Sequence, residues 1–122
     1  GLVAVQQFTR IGQHSFIAGS TLVRKSVPPF VRAAREPISY IGVNKIGLAR
    51  RDFSPEQINR IHDIYRILFV RGHNLSNGVE EVKTNLDDSQ EKQQILAFIN
   101  SATKTGVIRG FNQLNGTDSN ED

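Results

Sequence analysis

The stretch VQQFTRIGQHSFIAGSTLVRKSVPP, residues 5–29, decides the fold. Val5, Ile11, Ile17 and Val23 recur every six residues, a period that matches neither an amphipathic helix nor a half-buried strand. A six-residue repeat headed by an aliphatic side chain is the mark of a parallel β-helix, in which each hexad forms a short strand with its corner and stacks on the next. In that reading the four heads point to the coil axis. Gly12, Ala18 and Gly19 suit places where backbone turns or layers approach closely, and Thr9, Ser15 and Thr21 share a corner position beside the rung. An ordinary alternating strand pair would put Val5 and Ile11 on opposite parity, so period two fits poorly. Four hexads make little more than one turn of a three-sided coil, and stacked repeats need about three units to bury a core. GLVA at 1–4 reads as the tail of a preceding hexad, so the chain is expected to be the C-terminal piece of a longer protein.

Composition narrows the function classes. An apolar content of 38% over 122 residues excludes a disordered chain and allows one modest core. No apolar run approaches the roughly 18 residues of a membrane span. The chain has no cysteine and three histidines, His14, His62 and His73, which gives no disulfide framework and no support for a zinc site; this is compatible with a cytoplasmic location. Charge is uneven. Residues 1–51 carry eight Lys/Arg against Glu36 alone, while residues 52–122 carry seven basic against eleven acidic groups. The positive field over the coil would steer an acidic or phosphorylated partner. Nucleic acid would answer the same field, but no basic run interleaved with aromatics supports it.

Beyond the coil, Pro28 and Pro29 remove two backbone donors and are expected to eject the chain at about residue 30. Residues 31–53 then read as an ordered crossover with short strands around 38–43. SPEQ at 54–57 begins a helix, with Ser54 as cap, Pro55 at its first position and Gln57 three residues after the cap. Ile58, Ile61, Ile64, Tyr65, Leu68 and Phe69 form its apolar stripe, and Gly72 stands where it would close. His62 reads as an edge residue beside that stripe. Shorter helical patterns follow at 79–86, with Val82 inward, and at 89–103, burying Ile95, Leu96, Phe98 and Ile99. The expected division is terminal β-helix hexads over 1–30, a groove-lining crossover over 31–53, a small three-helix domain over 54–109 and a flexible acidic tail over 110–122.

With these segments in place, GLVAVQQF (1–8), Ile11-Gly12, VPPF (27–30), GVN (42–44) and GLARRDFS (47–54), followed by helices, together resemble the C-terminal half of bacterial UDP-N-acetylglucosamine O-acyltransferases. The resemblance implies the last coils of a left-handed parallel β-helix followed by a three-helix C-terminal domain, assembled as a homotrimer. It implies transfer of a 3-hydroxyacyl group from acyl carrier protein to the 3-hydroxyl of UDP-N-acetylglucosamine in lipid A synthesis, with no cofactor. Transfer to a sugar hydroxyl needs a base for its proton and donors for the oxyanion. In the family that base is a histidine upstream of Gly1, and His14, His62 and His73 match no catalytic position, so this piece alone should be inactive.

By the same resemblance Gln7, Asn44, Arg50 and Arg51, with Gln6 beside them, match positions that contact the UDP-sugar or line its groove. An amide can read a uracil or ribose edge, and paired guanidiniums can clamp a pyrophosphate bidentately. Asn44 could equally cap a turn, and the arginine pair could bridge to Asp52 or Glu56. Three positions depart from the family pattern: Gln6 replaces a common histidine, Ile46 stands where some members place an acid, and Asp52 replaces a common glycine. Two alternatives stay open, a non-catalytic trimerisation and docking module and the related N-acyltransferase of the same pathway.

Overall fold

The computed structural model describes residues 3–5, 9–71, 74–102 and 106–110. Within them the six-residue heads stack as rungs. Strand β1 (Val3–Val5) lies parallel to β3 (Thr21–Val23), with Val5 beside Val23, so three hexads make one coil. On the second side Ile11 bridges Val27 in parallel. On the third, Ile17 of β2 (Phe16–Ile17) stands beside Ala33 of β4 (Val31–Ala34). The coil shortens by two residues after Val23, which is why Val27 and Ala33, off the strict period, take the next rungs. Val23, Val27 and Ala33 are fully buried. Val5 and Ile11 are 49% and 43% exposed, because among the described residues their layer is stacked from one side only.

The corners differ from the sequence expectation by one residue. Left-handed φ falls on His14 (59°) and Ser20 (64°), the positions before Ser15 and Thr21. Ser15 supports its corner by donating from Oγ to Gly12 O at 2.7 Å, whereas Thr21 lies within β3.

The twin prolines do not eject the chain. They occupy a corner where the next ladder bond is donated by Phe30 N–H to Gln13 O at 2.9 Å, so their missing N–H groups interrupt no ladder. Parallel stacking therefore runs on into β4, past the boundary expected at residue 30. Departure comes one strand later, where β5 (Ser39–Val43) pairs antiparallel with β4. The chain also returns: Val107 bridges Ser26 in parallel, and β6 (Arg109–Gly110) runs parallel to β5. The segment after the helices thus rejoins the coil.

Among the described residues, four helices stand between these strands where three were expected. The additional one, α1 (Lys45–Arg50), is short and carries Gly47 inside it, so propensity alone conceals it. Helix α2 (Pro55–Tyr65) begins at the predicted capping box, Ser54 accepting from Gln57 N–H while the Gln57 side chain accepts from Ser54 N–H. It runs on into a π-helical turn over Arg66–Val70. Helix α3 (Leu75–Asn85) starts four residues earlier than expected because Asn74 caps it, and Val82 is buried as anticipated. Helix α4 (Gln90–Ala102) buries Ile95, Phe98 and Ile99, with Leu96 partly covered. The expected helix end at Gly72 and residues 111–122 of the expected acidic tail lie outside the described residues, whereas Gly110, assigned to that tail, is buried in β6. No helix among those described is long and apolar enough to cross a membrane.

Tyr65 ties the helical layer to the coil. Its buried hydroxyl donates to Pro29 O at 2.6 Å, and its ring stacks with Tyr40 and Phe69. Burial first, and Tyr40 beside it, push the Tyr65 phenol well above its ordinary range. A folded-state pKa raised in this way gives stability that is complete below the unfolded value of about 10 and falls as pH rises past it. Tyr65→Phe should lower unfolding free energy by about 1–3 kcal/mol at neutral pH, since Pro29 O loses its donor. The variant should also lose stability less steeply between about pH 9 and 11, as read by urea denaturation across that range.

Candidate functional site

Where the coil meets the helical layer, a groove of about 840 Å³ opens between the outer face of β4 and β5 and the helices α1 and α2. Asn44 organises one wall. Its Oδ1 accepts from Gly47 N–H at 3.3 Å, capping α1, and its Nδ2 donates to His14 O at 3.0 Å. A Cβ on Gly47 would stand 2.4 Å from Asn44 Nδ2, so a larger residue there would displace the Asn44 side chain from this position. The His14 ring stacks on Phe30 and meets Phe53 edge-on, at centroid distances of 5.9 and 5.3 Å. These contacts fix α1 against the coil, and Leu48, fully buried, anchors its inner face. The turn reading of Asn44 is therefore realised, while its side chain still lines the groove.

The arginine pair is split. Arg50 lines the groove, whereas Arg51 caps the C-terminal end of α1, is exposed and does not line it. Among the described residues neither makes the ion pair to Asp52 or Glu56 that the sequence allowed. Asp52 follows with φ of 67°, a conformation that glycine adopts without strain. Ile46 projects at the groove with 70% of its surface exposed. Gln6 and Gln7 lie outside the described residues.

Sequence reading missed most of the wall. Arg32, Arg35, Lys45, Arg50 and Arg66 line the groove together with His62, and no Asp or Glu lines it among the described residues. Only Arg50 of these had been singled out. The others come from β4, its following turn, α1 and the π-helical turn, so no local motif gathers them. For Arg32, Arg35 and Lys45 the sole advance signal was the excess of basic residues in the first half; Arg66 and His62 had none. His62, read as an edge residue, is half-buried in this wall. Apolar side chains interleave with the cations: Phe16, Ile41, Ile46, Phe69 and Val70. The arrangement can hold an anion carrying a less polar body. No group of three His, Cys, Asp or Glu residues among those described could hold a metal ion.

Comparison with known proteins shows what the chain is similar to. A family model described as Udp N-acetylglucosamine O-acyltransferase, domain 2, matches residues 27–110. The acyl-(acyl-carrier-protein):UDP-N-acetylglucosamine O-acyltransferase of Myxococcus xanthus is 37% identical over 109 residues, covering 89% of this chain and 42% of that protein. Its counterpart in Aliivibrio salmonicida is 37% identical over 108 residues, covering 88% and 41%. Among solved structures, the UDP-N-acetylglucosamine acyltransferase of Bacteroides fragilis matches with a TM-score of 0.83 at 41% identity, covering 88% of this chain and 42% of that one. The Francisella novicida enzyme matches with 0.84 at 30% identity, covering 95% and 42%. The chain thus spans about two fifths of the length of these relatives.

Proposed function

Because this chain belongs to the UDP-N-acetylglucosamine O-acyltransferase family, we propose that it is the C-terminal part of an enzyme moving a 3-hydroxyacyl group from acyl carrier protein to the 3-hydroxyl of UDP-N-acetylglucosamine in lipid A synthesis. In this reading the chain binds and positions; proton transfer belongs to a histidine elsewhere in the protein. The observation that carries it is the groove lined by five Lys/Arg and, among the described residues, no carboxylate. A pyrophosphate is the natural counter-ion for such a wall, because guanidinium groups meet phosphate oxygens in pairs.

Arg50 takes the diphosphate. Asn44, with one amide N–H already given to His14 O, keeps a second N–H for a ribose or uracil edge. Gln6 and Gln7 contribute further amides to the same ligand. Arg51, which matches a UDP-sugar position of the family, lies outside the groove of its own chain and would meet the ligand only from a neighbouring protomer. The assembly is a homotrimer of left-handed coils in the cytoplasm, with the basic half of the chain meeting the acidic carrier protein. No cofactor enters.

Acyl transfer assayed on the natural polypeptide that carries this chain should yield an ester, cleaved by mild alkali. Arg50→Ala should weaken UDP-N-acetylglucosamine binding about tenfold or more, the value of a charge-assisted hydrogen bond, while leaving the thermal midpoint in place. An amide product would instead identify the N-acyltransferase chemistry, binding indifferent to Arg50 would remove Arg50 from the site, and absence of any binding would leave only a scaffold.

A further inference from the structure

We propose that Arg32 is a second phosphate-positioning residue of this groove, aimed there by the missing side chain at Gly42. The inference rests on the nucleotide-sugar reading above and adds a contact that the family resemblance did not assign. Arg32 sits in the middle of the sheet, with Phe16 of β2 on one flank and Gly42 of β5 on the other. Phe16 closes the first flank. Gly42 leaves the second open, and the guanidinium lies across it: a Cβ on Gly42 would stand 3.1 Å from Arg32 Nη2 and 3.8 Å from its Cζ.

The ladder is irregular at that point. The Arg32–Gly42 pair is followed by Ala33–Tyr40, so Ile41 is an extra residue on β5. Bulges of this kind re-aim the neighbouring side chain. The guanidinium thus lies beside Gly42 in a groove that Lys45 and Arg50 also line. Among the described residues no carboxylate pairs with Arg32. Gathering these cations without an acid is self-repulsive, and a bound anion relieves it. A guanidinium can present two parallel N–H donors to one phosphate, and Arg50 lines the same groove for the other. The ligand chemistry that fits is a diphosphate, each phosphate meeting one guanidinium.

The test is calorimetric titration of the natural polypeptide, wild type against Arg32→Gln and Arg32→Lys, with UDP-N-acetylglucosamine, uridine and inorganic pyrophosphate as ligands. Arg32→Gln should weaken UDP-N-acetylglucosamine and pyrophosphate about tenfold or more and leave uridine unchanged. Arg32→Lys should recover only part of the loss, because an ammonium lacks the fork. Unchanged thermal midpoints establish that the variants fold. Equal affinities of wild type and Arg32→Gln for both phosphate ligands would overturn the inference. Pyrophosphate binding that depends on Arg32, without nucleotide-sugar binding, would sustain the anion site and remove the nucleotide reading. Binding of neither ligand by the wild type would overturn both.

Discussion

Gly12→Ala is expected to destabilise the fold by roughly 3 kcal/mol, the upper end for overpacking a close-packed interior. A Cβ at Gly12 would stand 2.4 Å from Pro29 N and 2.7 Å from both Pro29 Cα and Cδ. None of these atoms belongs to a flexible side-chain end, so one whole coil layer must move from the other. The movement would spread. Gly12 N–H donates to Val27 O at 2.7 Å, and Pro29 O is the acceptor for Tyr65, so ladder and interlayer bond are strained together. Gly78→Ala is the matched control: its nearest contact would be Leu68 Cα at 3.3 Å, and alanine gains helix propensity there of up to about 1 kcal/mol. Chemical denaturation of the two variants should therefore give a large loss for the first and a change within about 1 kcal/mol for the second.

Leu48→Ala should cost about 2–5 kcal/mol, the range for emptying a buried leucine site. Leu48 is the one fully buried side chain of α1, a helix too short to persist without tertiary support. Its loss would loosen the wall that carries Asn44, Lys45 and Arg50. The stability loss in denaturation should therefore be accompanied by weaker nucleotide-sugar binding at temperatures where the chain is still folded. A purely global effect would lower the midpoint and leave the affinity of the folded population unchanged.

The rung pattern was visible in the sequence because an aliphatic side chain needed on one axis must recur with the coil. What the period could not reveal was the two-residue contraction after Val23, since Val27 and Ala33 obey the coil and not the count. Pro28 and Pro29 misled for a physical reason: a proline ends a ladder only where its N–H was needed, and at this corner the donor is Phe30 N–H. The return of 106–110 was equally hidden, because one bridge to Ser26 and two ladder residues beside β5 leave no local signature. Ser54 and Asn44 show the same contrast at the helix ends. Ser54, with Pro55 and Gln57 after it, announces α2 by itself, while Asn44 caps a six-residue helix whose stability lies in Leu48 and the His14 carbonyl.

The site followed similar limits. Asn44 and the arginine pair could be named from a contiguous motif, yet only the fold separates Arg50, in the groove, from Arg51, outside it. Arg32, Arg35 and Arg66 were indistinguishable from a solvated basic surface until β4, β5 and the π-helical turn brought them to one wall.

The most direct test of this account is a crystal structure of the natural polypeptide bound to UDP-N-acetylglucosamine. The account predicts the diphosphate in the groove walled by α1, β4 and β5, within hydrogen-bond reach of Arg50. Nucleotide density elsewhere, with that groove holding only solvent, would contradict it.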